Sequence, residues 1–305
     1  MKLSLNKLYE ALDVSKQSFH QKLNRRLKEV NYKATLSVLI AQIRKDHPTL
    51  SCRAMYYKIE PKGTGRDKFE RLCFELGYYV EKKVNYCRTT DSIGVYRFDN
   101  LLEHALLTDI NQAFSSDITY FEIRERFYFI TFVIDCFSRR IVGWSTSKNL
   151  TTEATTLPAL KMSIRTRKSR LPEGIIFHSD GGGQYYDKEF LTLTKKYGFR
   201  NSMCEYAYEN GKAERINGTI KNNYLKHYQI SSYEELVKNV DHAVQLYNEQ
   251  RPHKSLKYKT PYEFEKSIVN LKQPNKRRTT KSFNAKPNIL GASSPKILSQ
   301  TSSEL

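Results

Sequence analysis

Three acidic residues stand where carboxylates could do chemistry. Asp117 lies within Ser-Ser-Asp-Ile-Thr-Tyr-Phe, Asp180 within His-Ser-Asp-Gly-Gly-Gly-Gln-Tyr, and Glu214 within Glu-Asn-Gly-Lys-Ala-Glu-Arg-Ile-Asn-Gly. Magnesium prefers oxygen ligands, usually a few carboxylates completed by water and substrate phosphate. Two such ions can serve the attacking and leaving oxygens of a phosphodiester displacement. Three carboxylates against two magnesium ions leave the site slightly positive, which suits a phosphate. Without metal, the same carboxylates would repel and raise one another's pKa. A single aspartate at a strand end more often terminates the strand, and a helix glutamate is usually solvated. The grouping therefore has meaning only if the fold brings the three together.

The elements that would do so are readable from residue type and spacing. Residues 114–121, 127–134 and 140–144 are rich in aromatic and β-branched side chains, as in strands. The charged stretch 122–126 and the pair Ser138-Arg139 separate them, which predicts an antiparallel meander. A helix at 153–166, a short apolar strand at 174–178, a helix at 188–197, a strand at 199–203 and a helix starting near Gly211 follow. Three antiparallel strands and then alternating helix and strand describe a mixed α/β sheet. Asp117 falls in its first strand, Asp180 just past the apolar strand, and Glu214 on the last helix. Ligands of open α/β sheets gather beyond the strand ends, where Asp180 would stand.

Upstream, the pattern is helical. Leu5, Leu8 and Leu12 recur at helical spacing, and Ser15 is an N-cap for a second short helix carrying Phe19 and Leu23. The short break between them suits a helix-turn-helix. Leu36, Leu39, Ile40 and Ile43 mark another helix ending near Pro48, and Phe69, Leu72, Cys73 and Leu76 one closing at Gly77. Residues 1–60 hold 12 Lys/Arg against 5 Asp/Glu, which fits helices laid on DNA, although a solvated helical bundle explains the periodicity equally well. The whole chain of 305 residues has a formal net charge of +19, a balance usually matched by a polyanion, most often nucleic acid. Residues 270–305 carry nine Ser/Thr, seven Lys/Arg and only Glu304 as an acid, and read as a basic disordered tail. The five cysteines form no CxxC pair and do not combine with histidines at zinc-finger spacing, so they read as reduced thiols. No apolar run approaches a membrane span and the N-terminus shows no signal-peptide segment, so the expectation is a cytoplasmic, nucleoid-associated protein.

The chain resembles the DDE transposases of bacterial insertion sequences, the orfB-type proteins with a retroviral-integrase-like core. The resemblance runs from about residue 34 to residue 265. It rests on Ser116-Asp117-Ile118-Thr119-Tyr120, on the run from Val133 through Arg139-Arg140-Ile141-Val142-Gly143-Trp144, and on His178-Ser179-Asp180. Tyr208-Glu209-Asn210, Ala213-Glu214-Arg215, Gly218-Thr219-Ile220-Lys221 and Tyr247 to His253 continue it in order, and Gly65 to Lys68 with Arg88-Thr89-Thr90 resemble the family's connector. Phe114 and Gly181 replace the family's usual tryptophan and arginine, and the 33 residues between Asp180 and Glu214 are slightly fewer than usual.

The resemblance implies a ribonuclease-H-like mixed-sheet core at 105–268 with a helical connector at 61–104; the residue patterns add an all-α helix-turn-helix region at 1–60 and the basic tail at 269–305. It implies a transposase that cuts DNA at the terminal inverted repeats of its element and joins the exposed 3′-OH to target DNA. Asp117, Asp180 and Glu214 would be catalytic and metal-holding, with magnesium, two ions, as cofactor and manganese as a substitute. It also implies a homo-oligomer on DNA and, as a further partner, a helix-turn-helix protein from an overlapping upstream frame. A nuclease of the same fold that only hydrolyses, and a degenerate relative kept as a DNA-binding regulator, are the alternatives.

Lys221, two helical turns after Glu214, falls on the same helix face and is placed by the resemblance against a DNA phosphate. Lys212 and Arg215 are further DNA-binding candidates. His178 reads either as a group that orients Asp180 or touches DNA, or as a packed histidine at a strand end, and Asp135 as structural. Leu107-Thr108-Asp109-Ile110 resembles the family's first motif more literally than the stretch around Asp117. Asp117 is preferred because Ile118, Thr119, Tyr120 and Phe121 continue a strand, whereas Asn111 and Gln112 interrupt one after Asp109.

Overall fold

The structure, a computed structural model, describes residues 4–80, 97–167, 171–204 and 207–272. The proposed tail from 273 onward and the connector motif at Arg88 lie outside the described residues.

Four helices open the chain: α1 (Leu5–Ala11), α2 (Lys16–Asp46), α3 (Cys52–Ile59) and α4 (Arg66–Glu75). Ser15 caps α2 as expected, its side chain accepting from Ser18 N at 3.1 Å. The second and third predicted helices are a single one of 31 residues. No Gly or Pro interrupts 16–46, and the polar stretch between the two apolar clusters is simply an exposed part of one helix. Helix α4 ends on Gly77 at φ +73°, with Tyr78 N donating to Cys73 O and Gly77 N to Phe74 O, a Schellman closure. Leu36, Ile40, Leu50, Met55, Phe69 and Leu72 form the core of this unit.

The sheet comprises β1 (Ala113–Ile123), β2 (Arg126–Asp135), β3 (Ile141–Ser147), β4 (Ile176–Ser179) and β5 (Arg200–Met203) in the order β3-β2-β1-β4-β5. The first three are antiparallel, and β4 and β5 run parallel to β1. This is the ribonuclease-H-like arrangement expected from the sequence. Arg124 and Glu125, both at positive φ, make the two-residue turn between β1 and β2, so the predicted charged turn is one of the primed hairpin types.

Side chains alternate across the sheet. On one face Ile130, Phe132, Ile134 and Ile141 pack under α7 (Gly211–Asn223) and α8 (Tyr233–Gln250). On the other, Phe114, Val133, Val142 and Phe177 pack under α5 (Thr156–Arg167) and α6 (Lys188–Lys196). Gly143 permits the close crossing of α5, because a Cβ there would overlap the Ala159 carbonyl and lie 2.8 Å from Ser163 N. The last described element is α9 (Pro261–Lys272), so helix continues beyond the boundary at 268. Glu265 of α9 is buried and takes Arg140 at 2.7 Å and Arg167 at 2.9 Å.

Several contacts among the described residues seat the helical unit on the core. His47 shares a 2.9 Å hydrogen bond with the Tyr224 hydroxyl, Lys58 donates to Gln250 O at 3.0 Å, and Tyr57 stacks on Tyr258 with centroids 3.9 Å apart. No helix among the described residues is long and apolar enough to cross a membrane.

Candidate active site

Asp117 sits in mid-β1, opposite Phe132 of β2. Period-two alternation puts Phe114, Ser116 and Ile118 on the α5/α6 face and Ser115, Asp117 and Phe121 on the α7/α8 face. Asp117 therefore looks at α7, and Asn217 of that helix donates to its Oδ2 at 2.8 Å. Asp180 follows β4 directly. Its Oδ1 accepts from Gly182 N at 3.2 Å, and its backbone carbonyl accepts from the Tyr186 hydroxyl at 2.8 Å. A Cβ on Gly182 would come within 3.1 Å of Asp180 Oδ1, so a larger residue there would press on the carboxylate. Glu214 projects from the first turn of α7 and is exposed.

The three carboxylates lie within one another's electrostatic field. Burial, then Asp180 and Glu214, push Asp117 up to about 7 against the opposing hydrogen bonds of its own strand and of Asn217. Burial likewise raises Asp180, and burial and Asp180 raise Glu214. Among the described residues no group of three or more His, Cys, Asp or Glu side chains stands converged at metal-holding separation. The three carboxylates thus share a field rather than a common point.

Two amides position α7 against β1, and sequence reasoning gave neither a role. Asn210, immediately before the helix, is buried; its Nδ2 donates to Ser116 O at 2.9 Å and its Oδ1 accepts from the Ser115 hydroxyl. Asn217 makes the direct link to Asp117. Two sequence signals could have found them: the place of Asn210 in the motif Tyr208-Glu209-Asn210, and their spacing of seven residues, two helical turns. On the opposite face the Tyr185 hydroxyl and Ser116 Oγ share a 2.9 Å bond, fixing the loop after Asp180 to β1.

Lys221 lies in the field of Asp117, but its ammonium is engaged: Nζ donates to Tyr120 O at 3.3 Å and stands 4.6 Å from the Tyr120 ring centroid. Burial, then Lys226, lowers its pKa. Lys212 lies in the electrostatic field of His178 and Cys136, and Arg215 in that of Tyr247. His178 is a packed histidine. It is fully buried, its Nδ1 pairs with Ser202 Oγ at 2.9 Å, and burial holds its pKa down to about 4. Asp135 is structural: buried, it accepts from Asn111 N, Phe137 N and Ser138 N and faces Arg167 at 3.4 Å. Asp109 belongs to the turn before β1, where its Oδ1 accepts from Ile110 N and its own N–H donates to Gln112 Oε1.

Two family models, both described as Integrase core domain, match residues 108–208 and 200–261, which between them contain the whole sheet and all three carboxylates. The chain is 29% identical over 244 residues to an uncharacterized 31 kDa protein of insertion element IS600 from Shigella sonnei, covering 78% of this chain and 88% of that one. It is 30% identical over 171 residues to the transposase InsF of insertion sequence IS3A from Escherichia coli strain K12, covering 55% and 58%. The chain carries an integrase core domain and is similar to transposases of insertion sequences. The match to InsF spans a little over half of that transposase's length, whereas the match to the IS600 protein spans most of it. Among solved structures, this integrase-core chain is similar to the HTLV-2 integrase catalytic core domain, at 20% identity and a TM-score of 0.42, over 52% of this chain and 97% of that one.

Proposed function

We propose that this chain is the transposase of an insertion sequence, cutting DNA at the terminal inverted repeats and joining the exposed 3′-OH to target DNA, with Asp117, Asp180 and Glu214 as its catalytic, metal-holding residues. The observation that carries the reading is the mutual field of three carboxylates supplied by β1, the end of β4 and α7, in a chain of net charge +19. Ordinary surface acids would be spread apart in so basic a chain. Here burial raises all three, and the charge of Asp180 adds to it at Asp117 and Glu214, a penalty that a functional site can offset with a cation.

The donor set fits a hard divalent ion. Carboxylate oxygens match magnesium, and the raised Asp117, Asp180 and Glu214 would each be relieved by positive charge between them. We assign two magnesium ions to the three residues, with manganese as a substitute. When bound, the metal supplies charge to the attacking and leaving oxygens of an in-line displacement. The protein's own part is positional. Asn217 orients the Asp117 carboxylate, the Gly182 amide orients Asp180, and Asn210 fixes the start of the helix bearing Glu214. Lys221 would exchange the Tyr120 carbonyl for a DNA phosphate, with Lys212 and Arg215 adding cationic contacts alongside.

The remaining segments follow the same reading. The α1–α2 pair serves as the helix-turn-helix at 1–60, 61–104 connects it to the core at 105–268, and 269–305 adds non-specific attraction to DNA beyond α9. The working form on DNA is a homo-oligomer, because two ends must be paired, and an upstream-frame helix-turn-helix protein is a further partner. The test is incubation of the full chain with magnesium, a pre-cut end of its own element and a target duplex. Joined product is expected. Hydrolysis without joining would make the protein a nuclease, and specific binding without either would make it a regulator.

A further inference from the structure

Two cysteines far from the carboxylates in sequence are held against each other in the N-terminal helical unit. Cys52 is the first residue of α3 and Cys73 lies in the last turn of α4. Cys73 is a fully buried member of the apolar cluster there, and Cys52 packs at its edge, partly open. The two side chains interact, Tyr78 N donates to Cys73 O at 2.8 Å, and Cys52 Sγ donates to Tyr78 O at 3.5 Å. Arg44 donates to that same carbonyl at 2.6 Å, which brings a guanidinium beside the Cys52 sulfur. Cys52 also lines a cleft of about 470 Å³ whose walls include the cations Arg53, Arg251 and Lys254.

We propose that Cys52 and Cys73 form a hydroperoxide-sensitive dithiol, with Cys52 attacking and Cys73 resolving. The setting supplies what each sulfur needs. A helix N-terminus and a neighbouring guanidinium favour a thiolate at Cys52, and the hydrogen bond from Cys73, with Arg44, lowers its pKa. The same hydrogen bond and burial raise Cys73, which keeps its proton until it reacts. The Cys52 thiolate attacks one oxygen of hydrogen peroxide, the O–O bond breaks, and hydroxide leaves to become water, giving a sulfenic acid. The Cys73 sulfur then attacks that sulfur, the S–O bond breaks, a second water leaves, and the disulfide forms. Two thiols lose two electrons and the peroxide gains them. Both cysteines belong to one apolar cluster and both bond to Tyr78, Cys52 through its sulfur to the Tyr78 carbonyl and Cys73 through its carbonyl to the Tyr78 N–H, so the disulfide joins neighbouring residues. Cys136 and Cys204 are buried and each pushed up to about 12, chiefly by burial, and they serve as internal controls.

The test uses the full chain carrying Cys87→Ser, because Cys87 lies outside the described residues. After hydrogen peroxide at neutral pH, non-reducing peptide mapping should find residues 52 and 73 linked with loss of two hydrogens, while Cys136 and Cys204 remain open to alkylation after denaturation. Before oxidation, Cys52 should react with iodoacetamide at pH 7 roughly tenfold faster than either control. In the Cys73→Ser chain, Cys52 should stop at the sulfenic acid and take up dimedone. Four free thiols after peroxide treatment, or a disulfide through any other pair, would overturn the proposal. Dimedone on Cys73 in a Cys52→Ser chain would reverse the two roles and so refute the assignment.

Discussion

Asp117→Asn should stabilise the metal-free protein, and should do so more as pH rises. The Asp117 carboxyl sits at about 7 in the fold against an ordinary value of 3.8. Below pH 4 it is protonated in folded and unfolded chains alike and contributes nothing. Between 4 and 7 the unfolded chain ionises while the folded one retains its proton, so stability falls with rising pH; above 7 the penalty is complete. At 1.36 kcal/mol per pH unit the full penalty approaches about 4 kcal/mol, and about 2–3 kcal/mol of it develops between pH 5 and pH 8. Asparagine removes the charge while its carbonyl still accepts from Asn217. In EDTA, the melting temperature of Asp117→Asn relative to wild type should therefore rise between pH 5 and pH 8 by up to roughly 5–10 °C. Comparing the two proteins at each pH cancels the titrating groups that do not interact with Asp117. A difference that stays flat with pH, or a variant less stable than wild type at pH 8, would refute the reasoning.

Other perturbations probe how the site is held. Asn210→Ala strands the Ser115 hydroxyl and the Ser116 carbonyl and should cost about 1–3 kcal/mol in urea denaturation, with a larger fall in cleavage than in DNA binding because Glu214 loses its anchor. Arg167→Met leaves Asp135 and Glu265 without their shared cation and should destabilise by about 3–5 kcal/mol; a loss under about 1 kcal/mol would remove this network from the account of how α9 is fixed.

Much of the core was legible because its signals are local. The aromatic and β-branched runs of β1 and β2, with the charged stretch between them, locate the hairpin, and Ser15 and Gly77 mark helix ends that the structure retains. The extent of α2 was less legible, since apolar spacing lapses midway and periodicity reports the buried face, not the continuity of the backbone. The eight-residue α3 carries a capping serine but too few apolar positions to declare itself. Within the site, the carboxylates drew notice through their flanking motifs. Asn210 and Asn217 did not, because an amide acquires meaning only when the register of β1 against α7 is known. The engagement of Lys221 by Tyr120 was invisible for the same reason: 101 residues separate them in sequence.

The central claim is that Asp117, Asp180 and Glu214 together perform the chemistry, and that Asp109 does not. The direct measurement is magnesium-dependent cleavage of a duplex carrying the element's own end, by wild type and by Asp117→Asn, Asp180→Asn, Glu214→Gln and Asp109→Asn, with binding of the same duplex followed by gel shift. The account predicts normal binding throughout, cleavage abolished in the first three variants, and cleavage within a few-fold of wild type in Asp109→Asn. Cleavage surviving in any of the first three, or lost in Asp109→Asn with Asp117→Asn still active, would contradict it.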